Sequence, residues 1–158
     1  MCIRDRFNND DDFKNYPIEL EQDIHFLKSR GVDFIFLPQE SYIYPSEGVP
    51  SIAPGKVGSI LEGASRPGHF EGVLTVVNRL FDLVKPSHAV FGKKDAQQLF
   101  LIKDMVNRLD LNIEIIEGEI FRDLNGLALS SRNKHLSQDA KLIAANIFKS
   151  LRKVAKEI

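Results

Sequence analysis

Ala89-Val90-Phe91-Gly92-Lys93-Lys94-Asp95-Ala96-Gln97-Gln98-Leu99 is the stretch whose reading decides the fold. A short apolar run closes on a glycine, charged residues follow at once, and an apolar repeat near 3.6 residues then begins. That order predicts a strand, a tight loop and a helix. The strand is expected over residues 89–91. The helix is expected over 95–109, with Leu99, Ile102, Val106 and Leu109 inward.

Working outward, the same alternation recurs. Val73, Val76, Val77, Leu80, Phe81 and Val84 form one stripe of a helix over 70–84, which Pro86 closes. Residues 113–116 read as a further strand. Upstream, Leu20, Ile24 and Leu27 mark a helix over 17–30 that Gly31 can stop. The run VDFIFL, residues 32–37, reads as a buried strand, 38–48 as loop, and 51–60 as an ambiguous segment expected to hold one more strand. Helices alternating with strands at these lengths argue for right-handed βαβ units and a parallel sheet, hence an α/β fold. In such sheets ligands sit beyond the carboxyl ends of the strands, where residues 92–95 stand.

The pattern changes after about Gly118. Residues 121–133 are polar and contain glycine. Ser137 then caps a last helix with Leu142, Ile143, Ile147, Leu151 and Val154 as its apolar face. Two parts are expected, residues 1–118 and 119–158. Residues 1–6 carry neither pattern, and the last helix is still running at Ile158, so the chain reads as a fragment cut at both ends.

Of the 158 residues, 43% are hydrophobic and 27% charged, a globular composition. Lys plus Arg total 21 against 22 Asp plus Glu, for a formal charge of -1. That balance argues against a nucleic-acid reader or an anionic-membrane binder, so anion chemistry must come from local cations. The lone Cys2 excludes an internal disulfide framework and a cysteine-built metal site, and fits a reducing cytoplasm. No apolar run approaches the roughly 18 residues of a membrane span.

Three segments carry chemistry. In Gly92-Lys93-Lys94-Asp95, a glycine at a strand end admits close approach of a ligand to the backbone. The helix that follows offers unpaired N–H groups suited to phosphate, and a lysine there can neutralise growing charge. The plain alternative is a solvated loop with Asp95 as helix N-cap. The spacing is not that of a Walker A loop. In Leu129-Ser130-Ser131-Arg132, two hydroxyls and a planar guanidinium can wrap phosphates, while a serine cap accounts equally for Ser130 alone. In Leu61-Glu62-Gly63-Ala64-Ser65-Arg66-Pro67-Gly68-His69-Phe70, His69 is a general-base candidate or a structural histidine. Glu62 and Arg66 can pair to hold the loop.

Taken together, LEGASRPGHFEGVLTVVNRLFDLVKP, FGKKDAQQLFLIKDMV and GLALSSRN resemble the pantothenate synthetase (pantoate–β-alanine ligase) family, from Phe7 to about Ser137. The resemblance implies a Rossmann-like domain of the nucleotidyltransferase superfamily, here incomplete, followed by the start of a smaller C-terminal domain. It implies ATP-dependent ligation of pantoate and β-alanine through a pantoyl adenylate, with release of pyrophosphate and then AMP. Magnesium would accompany ATP, and the enzyme would be a cytoplasmic homodimer. By position, Gly92, Lys93, Lys94 and Asp95 correspond to the ATP-binding strand-end loop. Phe121 corresponds to a residue whose backbone contacts adenine. Leu129, Ser130, Ser131 and Arg132 correspond to the Met-Ser-Ser-Arg segment. Lys94 and Arg132 take catalytic roles in this reading, and Gln98 corresponds to a pantoate-binding glutamine. No residue is expected to form a protein metal site.

The departures are specific. The family's His-x-Gly-His segment is absent, and its Pro-x-Gln-Phe segment survives as Phe7 alone, so the chain by itself is expected to be inactive. Ala96 stands for a common Tyr, Leu129 for Met, and Lys93 for a common Glu. Two other readings stay open: another adenylyltransferase of the same superfamily, or a non-catalytic nucleotide-binding module.

Overall fold

The computed structural model describes residues 19–157. Expectations that fall on Cys2, Phe7 or the start of the first predicted helix lie outside the described residues.

Helix α1, Leu20–Ser29, stops as the sequence implied. Gly31 adopts φ +75 and donates to Lys28 O, while Val32 donates to Leu27 O. These paired bonds satisfy the last carbonyls of the helix and need the left-handed conformation that glycine adopts freely. Helix α2, Glu40–Ile43, is one turn inside the segment expected to be loop, and its Ile43 is buried. Helix α3, Glu62–Ser65, is likewise one turn. Helix α4, His69–Val84, strand β1, His88–Gly92, helix α5, Ala96–Arg108, and strand β2, Glu114–Gly118, follow in order. Helix α6, Gln138–Val154, begins at Ser137, whose hydroxyl accepts Ala140 N–H at 3.1 Å.

Among the described residues the sheet is β1 beside β2, parallel, with Ala89 opposite Ile115 and Gly92 opposite Gly118. A parallel pair needs a crossover, and α5 supplies it. One face of the pair, through Ala89, Phe91 and Ile115, packs on a core built by Phe70, Val73, Leu74 and Val77 of α4 and by Leu101, Ile102 and Met105 of α5. Of these the sequence stripes named Val73, Val77 and Ile102, and they missed Phe70, Leu74, Leu101 and Met105, which widen each stripe on its buried side. Leu109 and Val84 are exposed rather than inward, because both stand at helix ends where the chain turns away.

Two expected strands are corrected. Residues 32–37 are not a strand: no ladder partner faces them among the described residues, and Phe34 is 91% exposed. Apolar β-branched composition is a preference that only pairing turns into a strand. Residues 51–60 form no strand either. Their backbone is engaged sideways, with Ile52 N–H donating to Thr75 Oγ1 at 3.0 Å and Arg108 Nη2 donating to Ala53 O at 3.0 Å. A 3-10 turn, Lys56–Ser59, completes the segment. The apolar face of α6 lies uncovered among the described residues: Leu142, Ile143, Ile147, Leu151 and Val154 are exposed, and Ala145 is the buried position of that helix.

Candidate active site

The carboxyl end of β1 carries the first candidate segment. Gly92 is extended, at φ -78 and ψ 136, and nothing lies within 4 Å of where its Cβ would stand. Neither backbone strain nor packing against the described residues demands glycine here, and among those residues the space beside it is open. Lys93–Asp95 then form a 3-10 turn that leads into α5. The Asp95 carboxylate does not cap the helix; it pairs with Lys94 Nζ at 3.5 Å. The plain reading of Asp95 as an N-cap is therefore corrected, and the first N–H groups of α5 have no side-chain cap.

The two lysines have different surroundings. Lys93 pairs with Glu119 and lies 3.8 Å from Glu117 Oε2. The Glu119 carboxylate, through its hydrogen bond and its charge, raises the Lys93 pKa, and Glu117 adds to this. Glu117 is itself hydrogen bonded at 2.7 Å by Lys103, which lowers its pKa. Lys94 has Asp95 beside it and is half-exposed.

Within the first turn of α5, Gln98 is half-buried and its amide has no hydrogen bond to another described residue. Its neighbour Gln97, not singled out by the sequence, does structural service. Gln97 Nε2 donates to Val57 O and Ile60 O at 2.8 Å each, and Gln97 Oε1 accepts Glu62 N–H at 3.1 Å. Both donors and the acceptor of one amide thus fasten the 57–62 turn onto α5. That turn contains Leu61 at φ +50, a strained position for a residue with a Cβ. Glu62 and Arg66 pair at 3.1 Å, as the spacing suggested. His69 opens α4, is buried, and packs its ring 5.0 Å from that of Phe70.

The second segment is reached through β2. Phe121 O accepts Leu129 N–H at 2.9 Å, and Arg122 bridges to Ala128, closing a small antiparallel loop. Asp123 Oδ1 accepts both Asn125 N–H and Leu127 N–H at 2.9 Å, an Asx turn that shapes it. Arg122 lies 3.7 Å over the Phe148 ring and anchors the loop on α6. Ser130 caps the 3-10 turn Ser131–His135 by accepting Arg132 N–H at 3.3 Å. Asn133 Nδ2 holds Ala128 O at 3.0 Å. Phe121 and Leu129 are thus adjacent, both with exposed side chains, and the Ser130 hydroxyl is committed locally. A tie from this unit back to residues 92–95 runs through Glu119 and Lys93.

This arrangement defines a class: an α/β protein with a cationic loop at the carboxyl end of one of two parallel strands and a second polar loop following the other. Comparison with known proteins gives the family. The pantoate-beta-alanine ligase family model matches residues 4–158. The pantothenate synthetase of Cytophaga hutchinsonii is 45% identical over 153 residues, covering 97% of this chain and 54% of the relative. The pantoate–beta-alanine ligase of Schizosaccharomyces pombe is 46% identical over 155 residues, covering 97% and 55%. The crystal structure of pantothenate synthetase from Thermus thermophilus superposes with a TM-score of 0.88 at 40% identity, covering 96% of this chain and 56% of that one. The Francisella tularensis ligase, complexed with beta-gamma ATP and beta-alanine, does so at 0.85 and 45%, covering 93% and 57%.

The chain belongs to the pantoate–β-alanine ligase family. It spans about half the length of the curated relatives it matches.

Proposed function

We propose that this chain supplies one side of an ATP site in an enzyme that ligates pantoate and β-alanine to pantothenate through a pantoyl adenylate. The observation that carries the reading is the coincidence of family membership with an open glycine, two lysines and a helix start at the carboxyl ends of two parallel strands. Support comes from the relative whose crystals hold beta-gamma ATP and beta-alanine.

In this reading the pantoate carboxylate attacks the α-phosphorus of ATP and pyrophosphate leaves. The β-alanine amine then displaces AMP from the adenylate. Neither step needs a protein nucleophile, so the protein's part is positioning and charge stabilisation. Gly92 lets the nucleotide approach the backbone, and the amides of Lys93 to Asp95 lie along the phosphates. Lys94 stabilises the charge that grows on the leaving group. Phe121 and Leu129 border the adenine, and Ser130, Ser131 and Arg132 close on the phosphates from the second loop. Gln98 binds pantoate. Magnesium arrives with the nucleotide, because hard cations favour phosphate oxygens; among the described residues no three His, Cys, Asp or Glu side chains gather.

Residues 1–118 then form the nucleotide-binding part and 119–158 the start of a second one, in a homodimeric cytoplasmic enzyme. No helix among the described residues is long and apolar enough to cross a membrane. The 158-residue chain contains no His-x-Gly-His and is expected to release little pyrophosphate alone.

The test is an ATP–pyrophosphate exchange screen on the whole protein with a panel of small carboxylic acids. Exchange that depends on pantoate supports the proposal. Exchange driven by another acceptor would indicate a different adenylyltransferase, and nucleotide binding with no exchange would indicate a non-catalytic module.

A further inference from the structure

At the carboxyl ends of the two strands the register sets Gly92 against Gly118. No side chains meet across the sheet at that position. The tie is made just beyond it, where the Lys93 ammonium reaches the carboxylates of Glu119 and Glu117. Glu117 is shared with Lys103 of α5 at 2.7 Å. One run of alternating charge therefore joins the 92–95 loop, the crossover helix and the exit of β2. Two residues past Glu119, Phe121 O accepts Leu129 N–H, so the direction in which the chain leaves β2 sets where residues 129–132 stand.

We propose that Lys93 is a positioning residue: its side chain latches the exit of β2 to the 92–95 loop through Glu119, and so sets the spacing between the two halves of the nucleotide site. The inference rests on the nucleotide reading of those two segments. It separates two adjacent lysines by role, with Lys93 directed at protein carboxylates and Lys94 left for the phosphates. A single exposed ion pair stabilises little. A latch needs little, since it has only to favour one direction of a loop exit over its alternatives. Here one ammonium faces two carboxylates, and the second carboxylate is held from a helix.

Charge reversal tests it on the whole protein, comparing Lys93→Glu, Glu119→Lys and the double variant with the parent. Two quantities are read: KM for ATP, and the amide exchange rate of Leu129 without nucleotide. The latch predicts that each single reversal raises KM for ATP roughly fivefold and speeds exchange at Leu129. It predicts that the double reversal restores both. A silent Glu119→Lys, or a Lys93→Glu defect that the double reversal leaves in place, would mean that Lys93 meets the nucleotide directly and would overturn the latch. If the parent shows no ATP dependence, the nucleotide reading fails, and the exchange rates alone still decide whether Lys93 and Glu119 hold the loop.

Discussion

Gln97 Oε1 accepts the backbone N–H of Glu62 at 3.1 Å, across 35 residues of sequence. With the two bonds from Nε2 to Val57 O and Ile60 O, it makes Gln97 the fastener between the strained turn at Leu61 and the helix that carries Gln98. Gln97→Met would leave two carbonyls and one amide without their partner, at a cost of about 1–3 kcal/mol. Gln97→Glu keeps the acceptor but sets a carboxylate against two carbonyl oxygens, so it should cost at least as much. Urea unfolding of the three proteins checks the order.

Gly92 offers a separation of folding from binding. Its φ is negative and its Cβ position is open. Gly92→Ala should therefore be neutral or stabilising by up to about 1 kcal/mol, while ATP affinity falls at least about tenfold because the methyl group occupies the ligand's approach. Thermal melts and titration calorimetry measure the two effects. A parallel loss of stability and affinity would place the glycine in the fold rather than in the site.

Gly126 presents the opposite case. Its φ is +95, and a Cβ there would stand 2.9 Å from Phe148 Cδ1. Gly126→Ala should destabilise by about 1–3 kcal/mol. Phe148→Ala removes the ring beneath Arg122 and also removes the clash. Gly126→Ala should thus cost less in the Phe148→Ala background, with the part due to positive φ remaining. A double-mutant cycle by chemical denaturation gives the coupling.

The charge run at the strand ends has a defined pH window. The Lys93 pKa is raised above its ordinary 10.5, chiefly by Glu119, so its contribution is complete below 10.5 and is lost as pH rises through the folded value. Glu117 is lowered below its ordinary 4.5, chiefly by Lys103, so its contribution is complete above 4.5 and is lost as pH falls through the folded value. The stability difference between the parent and Lys93→Met should be flat through neutral pH and should close as pH rises through the folded Lys93 value, whereas the acid limb, set chiefly by Lys103, should be shared by both proteins. Melting curves across pH follow it.

What the sequence disclosed divides along physical lines. The helices α4 and α5 and the strand between them were legible, because each carries a full apolar stripe or run bounded by Pro86 or Gly92. The segment 32–37 was misread because the same residues make an extended chain with or without a partner strand. The α6 stripe was legible as a pattern, but its exposure was not, since periodicity reports an amphipathic face and not what covers it. In the site, Gly92, Lys94 and the 129–132 segment stood out through composition and resemblance. Gln97 did not, because its partners are backbone atoms at residues 57, 60 and 62, which no side-chain pattern records. The Lys93–Glu119 pair was equally hidden, as it depends on the parallel register of β1 and β2.

The central claim is that Lys94, just past the end of β1, stabilises the charge that grows on pyrophosphate as the adenylyl group passes to pantoate. The direct measurement is pantoate-dependent ATP–pyrophosphate exchange in the whole protein carrying Lys94→Ala, beside the parent. Loss of one well-placed charge-stabilising group predicts a fall of about a hundredfold or more, with the melting temperature little changed because Lys94 is half-exposed and pairs only with Asp95 among the described residues. Exchange near the parental rate would contradict the account.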